Sequence, residues 1–209
     1  MKQSFRPISK EKYAKRSQSI IRRVLLNNKR GKMKKKMEKN IVLIGFMGCG
    51  KTSVGKRLSM ALRREFVDMD DFIEKREQMT INEIFAQKGE AYFRSLEKEL
   101  CSRYSVYGSK IIATGGGVVK NKENIENLKK GGIVFYLKST PEHINENLKR
   151  DDTRPLLNTP DKLAKIKELM AERESFYEDG CHVSVDVSNM EIEETVNYIL
   201  EYIKKGAKK

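Results

Sequence analysis

The residues best able to do chemistry in this chain lie in a few short stretches, of which "GFMGCGKTSVGK" at 45–56 is the most telling. Its spacing, Gly45-x-x-x-x-Gly50-Lys51-Thr52, is that of a loop that wraps a nucleotide's phosphates. Glycine is needed there because backbone N–H groups must turn inward and approach the phosphates with no Cβ in the way. The helix that follows adds the positive end of its dipole. Lys51 supplies a charge for the β- and γ-phosphates, and the Thr52 hydroxyl is a ligand for Mg²⁺. Gly48, Cys49, Gly50, Lys51, Thr52 and Ser53 are therefore the expected ATP contacts. A glycine-rich turn can match this spacing by chance. The context decides: the apolar run "NIVLI" precedes the motif and a helical stretch follows it.

The usual partner of such a loop is an acid at the end of a second core strand. Here "IIATGGG" at 111–117 ends in threonine and glycine, and the acids occur instead in "VDMDD". Asp68 and Asp70 alternate at strand period, which would put both on one face of a strand end. Two carboxylates side by side can divide labour, one near the metal and one near an acceptor hydroxyl. Asp71 is left to cap a helix starting at Phe72. Three further stretches carry charge or unusual backbone. "FRSLE" places Arg94 and Glu97 one helical turn apart, a spacing that by itself means no more than a surface ion pair. Gly115-Gly116-Gly117 follows a strand, where three successive glycines exceed what a plain turn needs. "KRDDTRPLL" at 149–157 is polar and lies between helical stretches, the profile of a lid over about 150–160.

The elements that must position these groups alternate. "IVLIG" and "IVFYL" are continuous apolar runs, as strands buried on both faces require; "IIATGGG", "HVSVDV" and the weaker "EFVDMD" read as three more. Helical stretches include Lys51 to Arg64, Glu90 to Ser105, Pro141 to Lys149, Asp161 to Tyr177 and Glu191 to Lys204. Phe93, Leu96 and Leu100 share one face of the second, and Pro141 suits a helix start. Strand–helix alternation implies a parallel sheet covered by helices.

Composition limits the function classes. The 209 residues suit one α/β domain, and no apolar run nears the roughly 18 residues that span a bilayer. Three scattered cysteines, Cys49, Cys101 and Cys181, argue against a disulfide framework or a zinc site and fit a reducing, cytoplasmic setting. Cys49 has two readings: a thiol activated at a helix N-terminus, or a small filler turned from solvent. The net charge of +14 is unevenly placed. Residues 1–36 hold 14 Lys or Arg against the single acid Glu11, leaving 29 basic and 28 acidic residues in the rest. Residues 1–38 thus read as a basic, disordered extension and 39–209 as the domain. The extension is an upstream-start artefact, a targeting peptide, or an arm for nucleic acid or anionic lipid. A nucleic-acid-binding protein switched by ATP would need basic residues on the body, and the balance there opposes it.

Taken together, "GFMGCGKTSVGK", "DMD", "FRSLE", "TGGG" and "RPLL", in this order over residues 40–205, resemble the shikimate kinases. The resemblance implies a three-layer P-loop kinase fold with a five-stranded parallel sheet. It implies transfer of the γ-phosphoryl of MgATP to the 3-hydroxyl of shikimate, a step toward chorismate, in a monomer. By the same resemblance Arg94 and Arg173 (in "ERESFYED") bind the acceptor's carboxylate, with Glu97 holding Arg94. The glycines Gly115, Gly116 and Gly117 present N–H donors to the ring, and Phe85 and Phe93 form its apolar wall. Asp70 accepts from the attacking hydroxyl and Asp68 reaches Mg²⁺ through water; Lys51 and the lid residue Arg154 serve catalysis, and Arg150 stacks on adenine. Gluconate kinase or a nucleoside monophosphate kinase is the rival of similar architecture. Two arginines and a glycine triplet favour a carboxylate-bearing ring over a nucleotide base.

Overall fold

The structure, a computed structural model, describes residues 38–106, 108–149 and 159–206. Five strands, β1 (Asn40–Ile44), β2 (Glu65–Asp68), β3 (Lys110–Ala113), β4 (Gly132–Lys138) and β5 (Val183–Asp186), form one sheet. Their order is β2-β3-β1-β4-β5, and every pairing is parallel. Among the described residues the helices are α1 (Lys51–Leu62), α2 (Met69–Glu77), α3 (Ile81–Val106), α4 (Lys122–Gly131), α5 (Pro141–Asn147), α6 (Lys162–Gly180) and α7 (Ile192–Gly206).

Side-chain alternation along β1 builds the three layers. Ile41 and Leu43 pack with Leu58, Ile144 and Ile199 on one face of the sheet, while Val42 and Ile44 pack with Leu96, Leu100 and Ile125 on the other. Helices α1, α5 and α7 thus cover the first face and α2, α3 and α4 the second. Burying each of these aliphatic side chains stabilises the fold by about 1.5–3 kcal/mol. Approach is close where α1 crosses β2: a Cβ on Gly55 would lie 2.3 Å from the Phe66 ring.

The strands fall where the apolar runs indicate, and Pro141 opens α5 behind the cap Thr140, whose side chain accepts from His143 N–H. Two helices were not legible as separate elements. Residues before Glu90 are helical from Ile81, and the chain breaks at Gly89 (φ 82°, ψ 166°), where glycine tolerates a backbone other residues resist. The sequence signal was a capping box: Thr80 N–H donates to Glu83 Oε2 and Glu83 N–H to Thr80 Oγ1. Helix α4 starts at the cap Asn121, which accepts from Glu123 N–H.

The cap expected of Asp71 belongs to Asp68. Strand β2 ends at Asp68, α2 starts at Met69 rather than Phe72, and the Asp68 side chain accepts from Asp70 N–H at 3.2 Å. Asp68 and Asp70 therefore do not share a strand face. The strand is too short for that pattern, because a helix cap has taken over its last residue.

Candidate active site

In a parallel sheet every strand's carboxyl end opens on the same edge, and the loops there build the site. After β1, Gly45, Gly48 and Gly50 adopt φ of 145°, 79° and 92°, the backbone that turns N–H groups inward. Helix α1 begins at Gly50 with no side-chain cap, unlike α2, α4, α5 and α6, so its first N–H groups are left for an anion. Lys51 is buried and its Nζ donates to the carbonyls of Gly45 (2.9 Å) and Phe46 (2.8 Å). The Thr52 hydroxyl donates to Asp68 Oδ2 at 2.7 Å. Gly48 to Ser53, with Asp68, line a cavity of about 680 Å³.

Its far wall was not foreseen from the sequence. It comes from α5 (His143, Asn147) and the segment after β5 (Val187, Met190, Ile192, Thr195). Asn147 Nδ2 donates to Gly48 O at 2.9 Å and holds the loop against α5. His143 Nδ1 lies 2.6 Å from Ser188 O and ties α5 to the β5–α7 loop. The available signal was topological: this loop follows a strand at the functional edge.

A second cavity of about 330 Å³ adjoins the first. Phe85, Phe93, Arg94, Glu97, Gly115, Gly116, Gly117 and Arg173 line it, together with Ile81 and Asn82. Phe85 and Phe93 pack at 5.0 Å between ring centroids and form an apolar wall. Arg94 is held from two sides: Nη1 donates to Glu97 Oε2 (2.6 Å), while Nε and Nη2 donate to Glu90 Oε1 (3.0 and 2.8 Å). Arg173 is buried, its guanidinium 5.8 Å from the Phe46 ring centroid, and its Nε has no hydrogen-bond partner.

The glycines leave room that side chains need. A Cβ on Gly115 would sit 2.7 Å from Asp70 Oδ1 and 2.8 Å from Glu97 Oε1, and one on Gly117 2.7 Å from Arg94 Nη1. Tyr177 donates its hydroxyl to Gly116 O at 2.5 Å, fixing the middle of the triplet. Burial pushes the Glu97 carboxyl up to about 7 against the pull of Arg94, with Asp70 adding to the rise.

Asp70, Met47 and Gly116 line both cavities, so the wall between them carries a carboxylate. Two anion-binding pockets meeting at one carboxylate is an arrangement suited to moving a phosphoryl group from one ligand to the other. The structure brings together Gly48 to Ser53, Asp68, Asp70, Phe85, Phe93, Arg94, Gly115 to Gly117 and Arg173. Arg150 and Arg154, and most of the lid stretch, lie outside the described residues. Cys49 contributes backbone to the loop, but its side chain is buried in the core, with Sγ 3.7 Å from Lys51 Nζ. That is the filler of the two readings. Among the described residues no helix is long and apolar enough to cross a membrane.

The comparisons with known proteins agree with this geometry. A family model described as shikimate kinase matches residues 47–204. A shikimate kinase from Caldanaerobacter subterraneus subsp. tengcongensis is 46% identical over 167 residues, covering 79% of this chain and 97% of the relative. One from Pelotomaculum thermopropionicum is 43% identical, covering 80% and 96%. Among solved structures, shikimate kinase from Acinetobacter baumannii in complex with shikimate superposes with a TM-score of 0.78 at 34% identity, over 82% of this chain and 96% of that one. With a family match across nearly all of its folded body, and relatives that it spans almost end to end, the chain belongs to the shikimate kinase family.

Proposed function

We infer that the protein is an ATP-dependent kinase that transfers a phosphoryl group to the 3-hydroxyl of shikimate. The observation that carries the reading is Asp70 on the wall shared by the two cavities, one cradled by the phosphate loop and the other by two arginines.

ATP occupies the larger cavity, its phosphates on the uncapped N–H groups of the loop and α1. Lys51 Nζ, now on the Gly45 and Phe46 carbonyls, needs only a short swing to reach the β- and γ-phosphates. The Thr52–Asp68 pair offers one hydroxyl and one carboxylate to a magnesium ion, the sparse hard-oxygen set this ion uses beside phosphate oxygens. When bound there, the ion supplies charge neutralisation on the phosphates. Asp68 keeps its other oxygen on Asp70 N–H, and so fixes the first turn of α2 and the position of Asp70.

Shikimate occupies the smaller cavity, its ring between the Phe85–Phe93 wall and the glycine triplet. Its carboxylate meets Arg94 and Arg173, and guanidinium forks match a carboxylate bidentately. The 3-hydroxyl points at Asp70, which accepts its proton as the oxygen attacks the γ-phosphorus. The resemblance assigns Arg154 to the transferred group and Arg150 to adenine. The family resemblance implies action as a monomer. Three free cysteines support a cytoplasmic setting.

A coupled assay of ADP release with shikimate, quinate, gluconate and nucleoside monophosphates tests the acceptor. Stimulation by shikimate far above the background ATPase is expected. Stimulation by another acceptor, with none by shikimate, would overturn it.

A further inference from the structure

The acceptor cavity contains one group that the transfer reaction leaves unused. Glu97 is 1% exposed; its Oε2 takes Arg94 Nη1, and its Oε1 is buried with no hydrogen-bond partner. A buried carboxylate oxygen without a donor is costly, and the cost disappears if that oxygen carries a proton. The neighbourhood is crowded with like charge. Asp70 Oδ1, from α2, and Glu97 Oε1 both border the space where Gly115 lacks a side chain. Glu90, on the same helix as Glu97, holds the other edge of Arg94. Among the described residues the guanidiniums of Arg94 on α3 and Arg173 on α6 face these three carboxyl groups, with Lys120 near Glu90. A substrate carboxylate would be a fourth negative charge beside them, and it would draw on the same Arg94 that compensates Glu97. Coulomb's law then favours neutralising the carboxyl group that water and donors reach least.

We propose that binding of the carboxylate acceptor is coupled to uptake of a proton, held on Oε1 of Glu97. This inference rests on the acceptor reading given above. Glu97 is then a positioning residue: its protonated form keeps Oε2 on Arg94 while leaving the guanidinium's remaining charge for the substrate. The direction of its shift agrees: burial first, then Asp70 and Glu90, bring Glu97 up to about 7 against the pull of Arg94. Acceptor affinity should therefore fall as pH rises above neutrality, the slope approaching about tenfold per pH unit once Glu97 is ionised in the empty site. ATP, in the other cavity, should show no such slope from this group.

The experiment is calorimetric titration of shikimate into the full chain, in phosphate and in Tris, near pH 7 and near pH 8.5. The difference in heat between buffers of unlike ionisation enthalpy reads the protons taken up. Uptake of a sizeable fraction of a proton is expected in the wild type, rising toward the higher pH. Glu97→Gln, which keeps an oxygen for Arg94 and puts an amide where the proton sat, should bind shikimate with the uptake and the pH slope both lost. Asp70→Asn should retain the uptake. Binding without proton uptake in the wild type overturns the coupling, as does uptake that survives Glu97→Gln. Uptake abolished by Asp70→Asn would move the proton to Asp70 and overturn the assignment to Glu97. The wild-type and Asp70→Asn measurements decide the matter even if Glu97→Gln fails to fold. If the wild type binds ATP but gives no shikimate heat in either buffer, the acceptor reading itself falls, a result distinct from binding without protons.

Discussion

Arg94 reaches the acceptor cavity only because Glu90 and Glu97, one turn away on either side, hold its fork from two edges. Lysine at this position keeps the charge but can neither span both carboxylates nor pair a ligand carboxylate bidentately. Arg94→Lys is expected to weaken shikimate binding by about 1.5–3 kcal/mol, the range for a hydrogen bond to a charged group, while ATP binding stays close to wild type. Separate titrations with each ligand check this; equal losses for both would mean that Arg94 mainly supports the fold. Gly115 gives a sharper test of the same cavity. The atoms that a Cβ would strike, Asp70 Oδ1 and Glu97 Oε1, are the ends of side chains rather than backbone. Gly115→Ala should thus fold with a thermal midpoint near that of wild type, yet displace both carboxyl groups from the acceptor. The expected result is a fall in kcat of about 10²-fold or more, in the range for losing a positioned base, with the KM for ATP little changed. A variant that melts early and loses both substrates alike would show the glycine to be structural.

At the scale of elements, β5 is an edge strand whose start is pinned by an imidazole. His182 N–H donates to Val134 O at 2.8 Å, and Val134 N–H donates to His182 Nδ1 at 3.0 Å, so the ring stands in for a backbone carbonyl beside β4. That role requires an unprotonated Nδ1. Burial, with Lys129 and Lys39 nearby, lowers the His182 pKa from its ordinary 6.5. A pKa depressed on folding gives stability that is present above the unfolded value and lost as pH falls through the folded one. The thermal midpoint should therefore drop as pH falls below the ordinary histidine value of 6.5, and His182→Ala should flatten that part of the profile while lowering the midpoint at about pH 7.5. An unchanged slope in the variant would place the acid sensitivity elsewhere. Nothing in "CHVSVDV" announces this bond, since a histidine at a strand start reads simply as exposed. The strands themselves were legible because parallel strands buried on both faces leave continuous apolar runs, as in "IVLIG" and "IVFYL". Position along the chain was harder wherever a short polar side chain could serve two ends. Asp68 closes β2, caps α2 and takes the Thr52 hydroxyl, and only the folded geometry shows that one residue does all three. Arg94, Gly115 to Gly117 and Arg173 were legible as a set through family resemblance rather than spacing, because α3, the β3 loop and α6 meet only in the folded chain.

Across the whole molecule, the two ends of the sheet do different things. The carboxyl ends of the strands hold both cavities, while the amino end closes the body. There Asn40 is buried at the start of β1, donating from Nδ2 to Tyr104 O (2.9 Å) and accepting from Lys110 N–H (3.0 Å). Glu38 O accepts from Ser109 N–H at 2.5 Å, and Arg64 pairs with the Glu38 carboxylate while donating to Lys39 O. The chain before Glu38 thus joins the body at the end of β1 opposite the phosphate loop, one strand length from Gly45. The contacts of Glu38, Lys39 and Asn40 survive if the chain is started at Met37. Such a chain loses 14 basic residues and one acid, which leaves 29 basic against 28 acidic residues. It should keep its shikimate-dependent turnover and melt within about 2–4 °C of the full-length protein. Any affinity for nucleic acid or anionic vesicles should be lost with the extension, because the remaining body has almost no excess positive charge to release counterions. Steady-state kinetics, thermal melts and vesicle sedimentation of the two chains side by side give all three readings. A shortened chain that folds but loses most of its turnover would show that residues 1–36 reach the reaction from the far end of the sheet. Vesicle or nucleic-acid binding that persists would place the basic surface on the body instead.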